Sequence, residues 1–224
     1  MHIDVFSDTV CPWCRIGKRH LELALAGWGG SPAEPVTVRY RSFFLDPTIP
    51  PEGRDFRDHM LAKGGGRVAL EDFFAAPRER GAAVGLSFNF EAIQRAPNTL
   101  LSHRLVYLAP EARRGPVLDA LYEAYFARGE DIGDVATLAV VAERAGLDGP
   151  TVVAQLATTA GTAEVWADVD YARRAGIRGV PFFIFNERLA FSGAQPPEVI
   201  QRVLHQAAAE ASQAQPRDQG KLTQ

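Results

Sequence analysis

The two cysteines of this chain constrain it more than any other feature, because they stand only three positions apart. Cys11-Pro12-Trp13-Cys14 holds every cysteine in the sequence. The motif follows an alternating apolar run, residues 2–7, which predicts a β-strand. It begins a stretch in which small and apolar residues recur at helical spacing. The pattern predicts a strand followed by a helix, with Cys11 at the helix N-terminus and Cys14 on the inward face.

This position gives the cysteine pair a chemical role. A helix N-terminus presents unpaired backbone N–H groups and a partial positive charge. A thiol placed there ionises more easily, and the thiolate is the reactive species. Pro12 fits the first helical position, where a missing N–H leaves no intrahelical bond unmade, and Trp13 adds no charge. We therefore interpret Cys11 as the attacking thiol and Cys14 as the resolving thiol of a redox pair.

Two other roles for paired cysteines fit the sequence less well. A zinc site needs about four ligands, and the chain has no second cysteine pair. Its five histidines are scattered without ligand spacing: His2, His20, His59, His103 and His205. A purely structural disulfide would close a loop too short to constrain the unfolded chain appreciably. We expect neither a metal nor an organic cofactor.

Composition narrows the classes of partner. The 224 residues are 46% hydrophobic and 23% charged, with a formal net charge of −3, which is ordinary for a globular protein. This balance gives no basis for binding nucleic acid or an anionic membrane. No apolar run of about 18 residues occurs, and the N-terminus lacks the regions of a secretory signal. With so few cysteines, we expect a cytoplasmic protein that binds neither nucleic acid nor membrane.

Strand signals occur only towards the two ends of the chain. Residues 36–41 alternate and predict a second strand, parallel to the first through a right-handed crossover. Residues 181–185 and 188–191, joined by Asn186-Glu187, predict an antiparallel hairpin. From about residue 55 to residue 159 every periodic signal is helical.

The chain is therefore predicted to be an α/β protein with an interrupted framework. Residues 1–48 and 160–212 form one discontinuous domain, which ends in a helix over residues 196–209. Residues 49–159 form an all-α insertion domain. The polar residues 213–224 are predicted to form a flexible tail.

Short motifs run in order across nearly the whole chain and carry a family resemblance. They are Asp8-Thr9-Val10-Cys11-Pro12-Trp13-Cys14, Ile16-Gly17-Lys18-Arg19, Pro97-Asn98-Thr99, Ser102-His103-Arg104, Ala124-Tyr125-Phe126, Asp131-Ile132, Gly179-Val180-Pro181 and Ser192-Gly193-Ala194-Gln195. With them the chain resembles the DsbA-type branch of the thioredoxin superfamily, and within it the FrnE-like group. Some FrnE-like proteins carry a further cysteine pair. This chain has none, which excludes a second relay disulfide.

The resemblance implies a thioredoxin-like fold interrupted by an all-α insertion domain. It also implies a thiol–disulfide oxidoreductase or isomerase that exchanges disulfides with cysteines of proteins or with small thiols. Glutathione is a candidate co-substrate. In a reducing cytoplasm, reductase or isomerase activity is favoured over net oxidation.

The resemblance assigns a second part of the site to Val180-Pro181. In thioredoxin folds the matching proline is cis and lies against the cysteine motif, beside backbone that can pair with an extended substrate. The alternative is a plain strand-initiating proline. We expect Gly193, which has no side chain, to allow another backbone segment to approach closely beside this loop. Gln195 either contacts substrate or caps the last helix.

Several residues near these motifs keep two interpretations. Asp8 either takes the proton of Cys14 or bonds local backbone in a turn. Cations in the next two helical turns either stabilise a Cys11 thiolate or are solvated charges: Arg15, Lys18 and Arg19. Asn98 is favoured as a helix cap, and His103 as a core or surface residue rather than part of the site.

Two rival functions remain. The same superfamily includes glutathione-dependent 2-hydroxychromene-2-carboxylate isomerases and kappa-class transferases, in which serine holds the first motif position. The presence of Cys11 argues against that mechanism. The other rival is a non-enzymatic, chaperone-like binding module. The redox interpretation further predicts that the Cys11 sulfur is exposed to solvent.

Overall fold

A computed structural model describes residues 1–29, 35–64 and 70–214 of the protein. Its strands, in chain order, are β1 (His2–Ser7), β2 (Thr37–Ser42), β3 (Arg54–Asp55), β4 (Arg95–Ala96), β5 (Phe182–Phe185) and β6 (Leu189–Ser192). Its α-helices are α1 (Pro12–Gly27), α2 (Phe56–Lys63), α3 (Leu70–Ala82), α4 (Leu100–Leu108), α5 (Glu111–Tyr122), α6 (Val135–Arg144), α7 (Gly149–Leu156), α8 (Thr162–Arg174) and α9 (Pro197–Ala214).

The main sheet has the strand order β2–β1–β5–β6. β1 runs parallel to β2 and antiparallel to β5, so that Val5 lies between Tyr40 and Phe183. The β5–β6 hairpin pairs Phe185 with Leu189 and turns through the three residues 186–188. Asn186 and Glu187 have φ angles of 49° and 58°, the positive values that a turn matched to strand twist requires. The predicted parallel crossover and the predicted hairpin are both confirmed.

Helices cover both faces of this sheet. Alternate residues of β1 point to opposite faces, and Ile3 and Val5 pack with residues of α1 and α9 in one core cluster. Phe6 points the other way and packs with Ala172 of α8. Each large apolar side chain buried in this way contributes about 1.5–3 kcal/mol. The sheet therefore forms the middle layer, and the motif follows the C-terminal end of the inner strand β1.

Helices α2 to α7 pack around an aromatic core. Phe74 and Phe90 stack with ring centroids 4.2 Å apart, Phe88 stacks on Phe90, and Phe126 meets Phe88 edge-on. The same apolar cluster includes Cys11 and other residues of the motif region. The cysteine pair therefore lies at the junction between the sheet and the helical insertion.

Two features of the insertion depart from the expectation. β3 and β4 form a short antiparallel pair inside the segment predicted to be all-α. Two-residue strands are too short to give a periodic signal, which explains the miss. After α5 the chain continues as a π-helical segment, Glu123–Ala127, rather than as the regular helix that the spacing predicted.

The last helix is longer than the sequence pattern predicted. α9 extends to Ala214, so the first residues of the predicted tail at 213–224 are helical, and the rest of that tail lies outside the described residues.

Within the described ranges, no helix is both long and apolar enough to cross a membrane. The domain boundaries at residues 48 and 160 stay predictions.

Candidate functional site

The cysteine motif begins α1 as the sequence predicted. Cys11 is the N-cap residue, with φ −96° and ψ 112°, and Pro12 occupies the first turn. The Cys11 sulfur accepts a hydrogen bond from the Cys14 backbone N–H, with 3.3 Å between sulfur and nitrogen. A side chain that satisfies an N–H of the first turn is the usual device of a helix cap. Both cysteines are free thiols, and Cys14 points into the protein.

The expectation that Cys11 lies exposed is wrong. Only 3% of the residue is accessible to solvent. Its sulfur lies 3.7 Å from the Val180 carbonyl oxygen, and the side chains of Val10 and Val180 pack against the same cluster. Trp13, by contrast, is 38% exposed. The loop that approaches the helix N-terminus therefore shields the sulfur, and a reaction partner reaches it only when these side chains move.

The Val180–Pro181 peptide bond is cis, as the resemblance implied. The proline ring packs on α1 at Gly17, where an added Cβ would lie only 2.8 Å from Pro181 Cγ. Gly193, with φ at 87°, donates its N–H to the Pro181 carbonyl oxygen at 2.8 Å. Glycine is therefore needed at position 17 for contact and at position 193 for backbone conformation.

Gln195 does not cap the last helix, and its contact with substrate stays a prediction. Its side-chain amide donates to the Ser192 carbonyl oxygen at 3.1 Å. Its own carbonyl oxygen lies 2.8 Å from Nδ1 of His20 on α1. Gln195 thus braces the loop that carries Gly193 against the motif helix.

The pKa of Cys14 is raised well above the ordinary value of 9.0. Burial is the main cause, and the hydrogen bond and charge of Cys11 add to it. The Asp8 backbone N–H acts in the opposite direction, whereas the Asp8 carboxylate charge raises the pKa further. Cys14 therefore stays protonated near neutral pH and needs a base before it can attack.

Asp8 is almost fully buried, with 1% of the residue accessible. Its Oδ2 accepts from the Leu45 backbone N–H at 2.7 Å, and its Oδ1 lies 3.3 Å from Nε2 of His103. Its backbone carbonyl oxygen accepts from the Cys11 N–H at 3.1 Å. The side chain thus ties distant segments together rather than closing a local turn.

His103 was expected to be a core or surface residue outside the site. It is buried, but its contact with Asp8 brings it to the motif. The preceding residue, Ser102, makes a 2.8 Å hydrogen bond with Thr9. Arg104 donates instead to backbone carbonyls at the end of α7 and just beyond it: Gln155, Leu156, Thr158 and Ala160. Two consecutive residues of α4 therefore hold the segment that precedes Cys11.

Asn98 behaves as a capping residue one position before the helix boundary. Its Oδ1 accepts from the backbone N–H of Leu100, the first residue of α4, at 3.0 Å. Its Nδ2 donates to the Ile49 carbonyl oxygen at 2.7 Å. The capping interpretation is confirmed.

The cations after the motif bind carboxylates rather than a cysteine. Arg15 contacts Glu123 at 2.7 Å, Lys18 contacts Asp119 at 2.6 Å, and Arg19 contacts Glu22 at 3.6 Å. Arg15 and Lys18 are buried, so they are not the solvated charges of the alternative either. They join α1 to α5 and to the π-helical segment that follows.

Tyr122 is a site residue that the sequence did not reveal as one. It is buried, and its hydroxyl donates to the Asp8 carbonyl oxygen at 3.4 Å. Burial raises the pKa of Tyr122, and the nearby charges of Cys14 and Cys11 raise it further. The helical spacing predicted only that this ring belongs to the core.

The raised pKa of Cys14 predicts how stability depends on pH. In the unfolded chain the thiol ionises near its ordinary pKa, whereas in the folded protein it keeps its proton. Above pH 9 the folded state therefore binds more protons, and the free energy of unfolding falls. We expect urea denaturation of the reduced protein to show a fall in the free energy of unfolding between pH 8 and pH 10, on the order of 1 kcal/mol from this group. Cys14→Ala, measured in parallel, should lack this contribution, and equal pH dependence in both proteins would contradict it.

The geometry agrees with comparisons against known proteins. The chain matches the DSBA-like thioredoxin domain over residues 2–205. It is similar to the crystal structure of a probable DsbA oxidoreductase from Streptomyces coelicolor, with 36% sequence identity and a TM-score of 0.83, over 94% of this chain and 91% of that one.

Two further structures share the fold at low sequence identity. One is a 2-hydroxychromene-2-carboxylate isomerase, with 15% identity and a TM-score of 0.68, over 96% of this chain and 100% of that one. The other is the cytosolic disulfide reductase DsbM from Pseudomonas aeruginosa with GSH, with 17% identity and a TM-score of 0.57, over 93% and 100%.

The central sheet, the helical insertion and the loop around a cis proline define a thioredoxin-like fold of the DsbA type. Because the match covers nearly the whole chain, the protein belongs to the DSBA-like thioredoxin domain family.

Proposed function

We propose that this protein is a thiol–disulfide oxidoreductase or isomerase that acts on cysteines of proteins or on small thiols. The observation that carries the proposal is the placement of the two thiols. Cys11 caps the motif helix with its sulfur beside the Val180 carbonyl, and the Cys14 N–H donates to that sulfur. A thiolate at Cys11 would keep this hydrogen bond and the favourable helix N-terminus.

In the reducing direction the Cys11 thiolate attacks one sulfur of a substrate disulfide. A bond forms between Cys11 and that sulfur, and the other substrate sulfur leaves as a thiolate that takes a proton from water. Cys14, deprotonated by a base, then attacks Cys11 and releases the second substrate thiolate. The dithiol loses two electrons and becomes the Cys11–Cys14 disulfide. Oxidation of a substrate is the reverse sequence.

The shielding of Cys11 adds a requirement to this mechanism. Buried cysteines are less reactive than partly exposed ones, so exchange depends on local opening around the sulfur. Trp13 is the exposed neighbour within the motif, and Val180 is the contact on the opposite side. We propose that an extended substrate segment lies along the Val180–Pro181 loop and opens this gap as it binds.

The remaining assignments follow the same proposal. The reaction needs no metal or organic cofactor, and glutathione is a candidate co-substrate. The protein acts in the cytoplasm as a reductase or isomerase, without nucleic acid or membrane as partner. Asp8 accepts the proton of Cys14, and Pro12 and Trp13 shape the approach to Cys11. The assignment to the FrnE-like group stays a prediction.

A second candidate is a glutathione-dependent isomerase or transferase of small molecules. It is favoured by the fold shared with the 2-hydroxychromene-2-carboxylate isomerase over that whole chain. At 15% identity this likeness concerns the fold. A cysteine at position 11 favours the redox reaction, because it provides the thiolate that disulfide exchange requires.

The test is a redox titration of the purified protein together with an insulin-reduction assay. We expect the two thiols to titrate as one two-electron couple. Alkylation of the free thiols and mass spectrometry measure the reduced fraction at each potential. We also expect insulin reduction in the presence of a thiol reductant to exceed the rate with the reductant alone. A dithiol that never forms the Cys11–Cys14 disulfide, together with no insulin reduction, would contradict the proposal.

A further inference from the structure

A buried carboxyl–imidazole pair lies behind the cysteine motif. Asp8 and His103 are 1% and 3% accessible, and 3.3 Å separates Oδ1 from Nε2. Burying either group without a hydrogen-bond partner would lower the stability of the fold, so each group serves as the partner of the other. The second carboxylate oxygen of Asp8 is also occupied, by the Leu45 N–H at 2.7 Å. Two donors from different segments therefore fix the orientation of one carboxylate.

The residue that carries this carboxylate lies beside the resolving thiol. The Asp8 backbone N–H and the Asp8 charge both act on Cys14, in opposite directions. The Asp8 carbonyl oxygen accepts from the Cys11 N–H at 3.1 Å. Cys14 keeps its proton until a base removes it, and Asp8 is the carboxylate whose charge acts on this thiol.

His103 is held in place from two sides. On its own helix, Ser102 is hydrogen-bonded to Thr9 at 2.8 Å, which ties α4 to the residue next to Asp8. On the other side the Phe44 ring packs against the imidazole, with centroids 5.3 Å apart, and Trp166 packs on Phe44 at the same distance. The ring is therefore restricted to orientations that keep Nε2 near Asp8.

We propose that His103 is a positioning residue for disulfide resolution, and that it acts through Asp8. Its Nε2–H donates to Oδ1, since an ionised carboxylate can only accept. Together with the Leu45 N–H, this bond aims the carboxylate at the Cys14 thiol. The inference rests on the proposed function, because it concerns the step in which Cys14 attacks the mixed disulfide.

The step balances in protons and electrons. The Cys14 proton passes to the Asp8 carboxylate, and the sulfur electron pair forms the bond to Cys11. The bond between Cys11 and the substrate sulfur breaks, and that sulfur leaves with its electron pair as a thiolate. Asp8 returns to its ionised form when it releases the proton to solvent.

Other titratable groups face this pair and also affect its pH dependence. The negative charge of Asp8 helps to raise the pKa of both Tyr122 and Tyr125 in the insertion. A small cavity of about 50 Å³ is lined by Asp8 together with charged or titratable residues: Asp46, His59 and Lys63. A pH profile is therefore interpreted by comparing variants rather than from the wild type alone.

The experiment is stopped-flow reaction of the reduced protein with 5,5′-dithiobis(2-nitrobenzoate). The first release of thionitrobenzoate reports attack by Cys11, and the second reports resolution by Cys14. We expect His103→Phe to slow the second phase about 10-fold and Asp8→Asn to slow it about 100-fold, within the range of base catalysis. The first phase should stay unchanged in both. The double variant should be no slower than Asp8→Asn alone.

Two further variants separate positioning from packing. His103→Gln keeps an N–H donor near the position of Nε2 and should resolve within about threefold of wild type. His59→Phe removes a buried histidine from the same cavity and should leave the second phase unchanged. The defect of His103→Phe should shrink as pH rises, since Cys14 then ionises without a base.

These measurements distinguish an error in the role of His103 from an error in the proposed function. A wild-type protein with no second phase at any pH would overturn the redox function itself. A normal second phase in His103→Phe across the pH range would overturn only the role of His103. Equal slowing by the phenylalanine and glutamine variants, or multiplied effects in the double variant, would overturn it as well.

Discussion

Replacing Cys11 with serine is expected to lower insulin reduction by about 10³-fold or more. The hydroxyl of serine does not ionise near neutral pH and cannot form the mixed disulfide, so the covalent step is lost. The substitution changes one atom at a helix N-cap, a position where serine is among the preferred residues. Folding should therefore be preserved. Circular dichroism and a urea denaturation curve check that the loss is chemical.

Cys14→Ser is the matched control, because it removes the other thiol of the same motif. This variant keeps the attacking sulfur but cannot resolve the mixed disulfide. We expect it to accumulate a covalent adduct at Cys11, detected by mass spectrometry as substrate linked to the protein and released by dithiothreitol. Cys11→Ser should form no adduct at Cys14, which is buried and holds its proton.

The same pair of variants separates the rival functions. A glutathione-dependent isomerase of the kind that carries serine at this position would keep its turnover in Cys11→Ser. A chaperone-like module would suppress aggregation even in the double variant Cys11→Ser with Cys14→Ser. Insulin reduction at the wild-type rate in Cys11→Ser would overturn the redox proposal.

The sequence predicted those parts of the fold that depend on local pattern. Asp134 precedes an apolar helical stripe, a position typical of an N-cap, and its side chain accepts from the Thr137 N–H at 2.8 Å. Asp148 stands two residues before a proline, which also indicates a helix start, and it accepts from the Thr151 N–H at 2.8 Å. Caps and turns are decided by neighbours within a few residues, so spacing alone predicts them.

The parts that could not be predicted depend on contacts between distant segments. The burial of Cys11 results from the Val180 loop, which lies 169 residues away in sequence. The contact between Asp8 and His103 spans 95 residues. A single sequence contains no signal for such a pairing, since each residue alone is compatible with a turn or with a core position. The sequence motif identified the two thiols. The contacts that control their reactivity became visible only in the three-dimensional structure.

A buried ionic network gives the second large prediction, and it concerns stability. Asp168 of α8 accepts from three donors: the Arg41 guanidinium at 2.8 Å, the Ser42 backbone N–H at 2.9 Å, and the Tyr107 hydroxyl. Arg41 also contacts Asp4 of β1 at 3.0 Å. This network therefore joins α4 and α8 to the C-terminal end of β2 and to the middle of β1. Ser42 lies only three positions before Leu45, whose N–H holds Asp8.

Asp168→Asn is expected to lower the free energy of unfolding by about 3–5 kcal/mol, the usual cost of breaking a buried ion pair. The asparagine has nearly the same shape, but its amide group would meet one of three donors, and Arg41 would lose one of its two carboxylates. For a chain of this size the loss corresponds to a fall of about 6–20 °C in Tm. Urea denaturation and differential scanning calorimetry of the reduced protein measure it.

Asp170→Asn provides the control on the same helix. Asp170 pairs with Arg173 at 3.2 Å, but its side chain is 53% exposed, and surface pairs of this kind contribute about 0–1 kcal/mol. The two substitutions are chemically identical and differ only in burial and in the number of donors served. A difference below about 1 kcal/mol between the two variants would show that the network does not hold the insertion against the sheet. Because Ser42 leads directly into the segment that orients Asp8, Asp168→Asn should also slow disulfide resolution, whereas Asp170→Asn should not.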